Sequence, residues 1–163
     1  MADCPNGGGG YFGARVDVQV DLKNCSDTYP LEADWKHIGA LTSKDLDFSA
    51  NEVESGSFGK GGFSAKYITG QNAGFNFSGE QREVLDPDQI LQDMLEFRFS
   101  QIDKALQPSM WLRVTTPIMT YTFWVNFGGY SEANPEKELS TYSLSFSATD
   151  SIMPPKVEKT IAP

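Results

Sequence analysis

The sequence predicts a mainly β domain, a β-sandwich or open barrel with one flanking α-helix. Apolar and polar residues alternate with period two over several segments, which places their side chains on opposite faces of strands. Those segments are rich in β-branched and aromatic residues, drawing on 11 Phe, 6 Tyr and 3 Trp in 163 residues. One stretch alone switches to helical spacing, and it opens on a helix-start signature.

The elements follow in chain order. Residues 1–13, with Gly7-Gly8-Gly9-Gly10, read as a flexible N-terminal arm. From Arg15 to Leu22, Val16, Val18, Val20 and Leu22 oppose Arg15, Asp17, Gln19 and Asp21, a half-buried strand. Trp35 to Leu41 and Lys44 to Phe48 are the next strands. Asn51 to Gly62 is too polar and glycine-rich to own a core, so 49–64 is assigned to a long hairpin arm or mobile loop. Phe63 to Thr69 and Phe75 to Phe77 supply pairing partners.

Asp86-Pro87-Asp88-Gln89 offers an N-cap, a proline at the first helical position and a capping-box glutamine. Leu91, Met94, Leu95, Ile102, Ala105 and Leu106 follow at helical spacing before Pro108, which predicts a helix over 87–104. Trp111 to Thr116, Thr120 to Phe127 and Leu139 to Ala148 are the strongest strands. The folded domain therefore spans 14–150, and residues 151–163, with Pro154-Pro155 and Pro163, form a C-terminal arm.

A chain of 18.0 kDa suits one domain, burying roughly 70% of the surface its unfolded form exposes. The 22 acidic and 13 basic residues give −9, against a groove that grips phosphates through counterion release. The largest share of that acidity surrounds the predicted helix. No run approaches the ~20 apolar residues of a membrane span, which argues against membrane insertion, and Met1-Ala2-Asp3-Cys4-Pro5-Asn6 lacks the basic and apolar regions of a secretory signal. Folding in the cytoplasm is expected, with Cys4 and Cys25 as free thiols.

Catalytic chemistry finds little support. His37 is the single histidine, so nucleophilic catalysis through a histidine base would have to use it, and no nucleophile elbow accompanies it. Asp45 and Asp47 share a strand face, as Glu52 and Glu54 do, but no further oxygen donors stand at loop spacing for a cation. Phe58-Gly59-Lys60-Gly61-Gly62 lacks the order of a phosphate-binding loop. Neither metal nor cofactor is expected, and a non-enzyme leads.

The C-terminal strands are unusual instead. Ile118 through Ser131 and Leu139 through Thr149 contain no Asp, Glu, Lys, Arg or His. Tyr142, Leu144, Phe146 and Ala148 make one face against Ser143, Ser145 and Ser147. Thr120, Thr122 and Asn126 likewise oppose Tyr121, Phe123, Val125 and Phe127. Such a neutral face is either solvated, lines something, or meets another subunit.

Taken in order, Ala33-Asp34-Trp35-Lys36-His37-Ile38-Gly39, the strand with Asp45 and Asp47, the Glu/Gly-rich arm, Phe75-Asn76-Phe77-Ser78-Gly79, one helix, the Trp111 to Phe127 block and Tyr142-Ser143-Leu144-Ser145-Phe146-Ser147-Ala148 resemble the major tail protein, or tail tube protein, of bacteriophages with long non-contractile tails. The resemblance covers about 14–150 and is specific in element order. It implies a structural virion protein of a fold shared with contractile-tail and type VI secretion tubes. Six subunits form a ring, each giving four strands to an inner barrel, and rings stack into the tube through which the genome leaves.

The resemblance further implies that the arm reaches the neighbouring ring, with Glu52, Glu54, Phe58, Lys60 and Phe63 as its contacts. Thr120, Thr122, Asn126, Ser143, Ser145 and Ser147 become candidates to line the lumen, because small neutral groups neither bind phosphate nor obstruct a duplex. Asp17, Asp21, Asp45 and Asp47 are the candidates to supply lumenal acidity. Implied partners are copies of the chain itself, a tape measure protein, tail-tip and tail-terminator proteins, and passing genomic DNA bound without sequence specificity. The implied location is the virion tail, assembled in the host bacterial cytoplasm. The alternative is a soluble β-sandwich carbohydrate- or protein-binding module using Trp35, Trp111 and Trp124 as stacking platforms.

Overall fold

In a computed structural model the described residues are 15–39, 41–58, 64–81 and 86–160, with side chains at 55–65 and 82–89 left out. The N-terminal arm, Cys4, Lys60, Phe63 and the capping side chains of Asp86 and Gln89 lie outside them. The strands are β1 (Asp17–Asp21), β2 (Lys36–His37), β3 (Leu41–Phe58), β4 (Ser64–Glu80), β5 (Ser109–Thr115), β6 (Met119–Ala133), β7 (Thr141–Ala148) and β8 (Lys156–Lys159). One helix, α1 (Asp86–Asp103), joins β4 to β5.

All pairings are antiparallel and form one open sheet in the order β2-β1-β5-β6-β7-β4-β3, with β8 added to β6. The sheet curls until distant strands meet, as in an open barrel. Phe48 of β3 lies 5.0 Å from Tyr121 and 6.0 Å from Phe123 of β6, centroid to centroid, although β7 and β4 intervene in the hydrogen-bonded order. Lys44 of β3 donates to the Val16 carbonyl beside β1, and the Tyr142 hydroxyl donates to the Gly39 carbonyl at 2.9 Å.

The concave face holds the core. Val18, Val20, Leu112, Val114, Val125, Phe127, Leu144, Phe146, Phe75 and Phe77 are buried there, and Phe127 stacks on Phe146 at 4.8 Å. Replacing such a side chain by alanine typically costs ~2–5 kcal/mol, so this cluster sets the curl. Helix α1 covers it with Ile90, Leu91 and Met94. Arg98 then ties helix to sheet. Its Nε donates to the Phe127 carbonyl at 3.1 Å and its Nη2 to the Gly128 carbonyl at 2.9 Å. These carbonyls sit where the β6–β7 register shifts between Phe127 and Gly129, a bulge that leaves backbone groups in need of partners.

The helix ends in a Schellman motif, with Leu106 N donating to Gln101 O at 2.8 Å and Ala105 N to Ile102 O at 3.0 Å. Ala105 takes the left-handed position at φ 57°. Leu106, which in such a motif commonly folds back on the last turn, is instead 55% exposed.

Four expectations change. The strand expected over Trp35 to Leu41 shrinks to the two-residue β2 before β3 begins at Leu41; a 3-10 helix, Glu32–Asp34, precedes it, where Asp34 accepts from Leu31 N at 3.2 Å and Asn24 Nδ2 at 3.0 Å and so fixes a turn. Phe63 to Thr69 is not a separate body strand: from residue 64 on, β4 returns the arm, pairing Val53 with Tyr67 and Glu52 with Ile68. The C-terminal arm contains β8, which pairs Thr122 with Lys156 and Met119 with Lys159. Finally, Asp21 is 1% exposed rather than on an open face. It accepts from Lys23 N at 2.9 Å, Asn24 N at 3.1 Å and Asn24 Nδ2 at 2.8 Å, and thereby turns the chain out of β1.

Two stability measurements check these assignments by denaturant midpoint at constant slope. Ala105→Gly should stabilise the domain by about 1 kcal/mol, since glycine relieves the left-handed strain; unchanged or reduced stability contradicts the motif. Asp21→Ala should cost about 1–3 kcal/mol by removing three hydrogen bonds to a charged carboxylate, whereas Asp45→Ala, at an exposed position, should stay within about 0.5 kcal/mol. Equal effects would contradict the turn role of Asp21.

Candidate functional site

Six of the ten expected lumen residues come together on one face. The register places Asp45 beside Asn76, Asn76 beside Ser145, and Ser145 beside Gly129. The next row runs Asp47, Gly74, Ser147, Asn126, and the row on the other side runs Ser43, Ser78, Ser143, Ser131. Strand alternation sends the intervening Phe75, Phe77, Leu144 and Phe146 into the core, so the convex side of these rows is left with hydroxyls, amides, glycines and the carboxylates of Asp45 and Asp47, with Glu80 one row further on opposite Thr141.

Asp45, Asp47, Asn76, Ser143, Ser145 and Ser147 are exposed. Ser78 Oγ and Ser143 Oγ lie 3.4 Å apart, and Ser109 bonds Asn126 at the end of the patch. Gly129 eases close strand approach, since a Cβ there would crowd Ser145 Cβ at 3.0 Å. The only formal charges in these three rows are Asp45 and Asp47; Lys44, on the alternate side, reaches to the Val16 carbonyl.

The other four candidates occupy the half of the sheet covered by later chain. Thr122 is buried, and Thr120 Oγ1 meets Thr160 Oγ1 at 3.1 Å. Asp17 accepts from His37 Nδ1 at 2.9 Å at the β1–β2 edge, and Asp21 is buried as described. Over this half, Trp111 Nε1 donates to the Cys25 carbonyl at 2.9 Å, Tyr29 packs on Trp111 at 5.4 Å, and Met153 N donates to the Ser26 carbonyl at 2.9 Å. Arg113 lies 4.6 Å over the Trp35 ring, bonding Gln19 and Glu32. Its guanidinium, first by hydrogen bonding and then by charge, holds the Glu32 carboxyl below the usual range.

Trp35 and Trp111 are buried, and Trp124 packs against Trp111 at 5.4 Å. They do not form the exposed stacking platforms that a carbohydrate-binding module would need.

Of the arm candidates, Glu52 and Glu54 are exposed, Phe58 is placed by its backbone pairing with Ser64, and Lys60 and Phe63 lie outside the described residues. The arm also presents exposed Val53, Tyr67 and Ile68, which the sequence reading did not single out. It likewise missed Asn76 and Ser78 as part of the hydroxyl face, although their alternation with Phe75 and Phe77 carries the same signal as the closing strand. Cys25 is a free, exposed thiol. Among the described residues no cluster of His, Cys, Asp and Glu could hold a metal, and no helix is long and apolar enough to cross a membrane.

The sequence matches no protein-family model and no curated protein. Solved structures do resemble it. A chain from the tail of an empty gene transfer agent particle, refined helically with C6 symmetry, superposes with a TM-score of 0.64 at 14% identity, covering 93% of this chain and all of the other. A chain from the virion of a native gene transfer agent particle gives 0.61 at 13% identity over 93% of this chain and all of its own length. The SPP1 tail tube gives 0.57 at 9% identity, over 93% of this chain and 80% of that one. The resemblance first seen in element order is thus a likeness in three dimensions, and the chain has a tail-tube-like fold.

Proposed function

We propose that the chain is a structural tail-tube subunit, assembling six to a ring and stacking ring on ring into a conduit for DNA. The observation that carries this reading is the four-strand face of hydroxyls and amides, whose three central rows carry Asp45 and Asp47 as their only charges, with Glu80 one row further on. Such a face suits a bore: it offers no cation to hold phosphate, and its short side chains leave space for a duplex. The tail-tube-like fold adds support, as does the C6 symmetry of one similar tail.

The edges suit assembly. β2 and β3 end the sheet with unpaired backbone groups, and a head-to-tail contact between two unlike edges closes a ring when the rotation is right. The arm, with Glu52, Glu54, Phe58, Lys60 and Phe63, reaches the adjacent ring. The ends of the tube meet tail-tip and tail-terminator proteins, and a tape measure protein occupies the bore before DNA. The protein assembles in the host cytoplasm, resides in the virion tail, and catalyses nothing.

Negative-stain microscopy of the concentrated chain should show stacked rings, and a chain that stays monomeric at every concentration contradicts the reading. In particles assembled from Ser145→Lys, rings should persist while DNA ejection slows several-fold, because each ring would then present a belt of cations to the phosphates. Unchanged ejection kinetics would remove Ser145 from the bore.

A further inference from the structure

We propose that the β6–β7 turn of one copy seats Leu139 in a groove at the opposite end of a second copy, beside the last turn of α1. The proposal rests on the reading of the chain as a stacking tube subunit and names a contact between rings separate from the arm.

The two halves of the contact stand at opposite ends of the same pair of strands. At one end, Ala133 pairs with Thr141 and the chain turns through 134–140. At the other, Asn126 pairs with Ser147. β7 spans 8 residues, so the two ends are roughly 25 Å apart along the strand. A copy moved along the strands would bring its turn over the groove of the copy before it. Such a contact joins unlike surfaces, so it repeats without limit along a stack.

The turn is built to present its leucine. Gln81 N donates to the Ser140 carbonyl at 2.8 Å, Gln81 Nε2 to the Tyr130 hydroxyl at 3.3 Å, and Tyr130 donates to Glu132. Asn134 Nδ2 reaches the same carboxylate at 3.4 Å. These bonds anchor both feet of the turn, yet Leu139 remains 67% exposed.

The groove is built to receive one. It is an open depression of about 500 Å³ with Ile102, Ala105, Leu106 and Pro108 on its apolar side and Gln107, Asn126 and Ser147 on its polar side. Ile102 is 49% exposed and Leu106 is 55% exposed, so both keep apolar surface uncovered in the single chain. Ala105 holds a left-handed conformation where glycine would be easier, and so keeps a methyl in the wall. Lys104 lies beside Asp103 at this helix end, and the incoming turn carries Glu136 and Glu138 around Lys137. Asn126 and Ser147, which border the groove, are also the last residues of the hydroxyl face. Seating the turn there would carry that face from copy to copy without a gap.

The test is a cysteine pair, Leu139→Cys with Leu106→Cys, in a chain also carrying Cys4→Ser and Cys25→Ser. Oxidised after assembly, the pair should give a ladder of trimers and higher oligomers on a non-reducing gel, and neither single cysteine should exceed a dimer. Leu139→Asp, an exposed change that should leave the monomer's melting temperature within about 2 °C, should raise the critical concentration for tube growth at least tenfold. Tubes from the cysteine pair without a ladder, or from Leu139→Asp at the parental critical concentration, overturn this contact and leave the tube reading intact. If the unaltered chain forms no tubes, both fall.

Discussion

The structure depends on one constraint, the alternation of side chains across the four-strand stretch of β3, β4, β7 and β6, interrupted in β6 by the bulge between Phe127 and Gly129. Because successive residues point to opposite faces, Phe75, Phe77 and Phe146 each enter the core with serine, asparagine or glycine neighbours turned outward. Phe75, Phe77, Leu144 and Phe146 are buried on one side while Asn76, Ser78, Ser143, Ser145 and Ser147 stand on the other. A slip of one residue in the pairing of β7 would bury serines and expose phenylalanines. The core aromatics therefore lock the composition of the outer face, and the register that folds the domain also fixes the proposed bore face.

β6 links the two halves of the sheet. Its first part pairs with β5 and β8 beneath covering chain, and its second part pairs with β7 on the open face. The bulge between Phe127 and Gly129 marks the change, and Arg98 caps its carbonyls from the helix. The same polar alternation thus has two fates. Thr120 and Thr122 are flanked by β8 in the sheet, and Thr120 bonds Thr160, whereas Ser143, Ser145 and Ser147 stay open.

That division explains what the sequence disclosed. The strands around Trp111, Thr120 and Leu139 and the helix were legible because alternation, β-branching and capping are local signals. The continuation of β6 through Gly128-Gly129 was not, since paired glycines resemble a turn and only the neighbouring Ser145 reveals why they are strand. Thr120 and Thr122 read as members of an open face because the chain beside them, 156–160, lies far away in sequence, and Asp21 did so because strand alternation extends to it although its partners Lys23 and Asn24 are local. β8 has four exposed residues and no alternation of burial to announce it. Of the candidate site, the serines and the pair Asp45 and Asp47 were legible; their convergence on one surface was a matter of strand order, which local pattern does not encode.

The net charge of −9 is not concentrated on this surface, where Asp45 and Asp47, with Glu80 one row further on, stand among neutral groups. With screening over ~8 Å, only such positions act on passing phosphates. The most direct measurement is a helical cryo-EM reconstruction of assembled tubes. The account predicts that Asp45, Asp47, Ser143, Ser145 and Ser147 line the bore with α1 outside. A tube with that face turned outward, or buried against a neighbouring subunit, would contradict it.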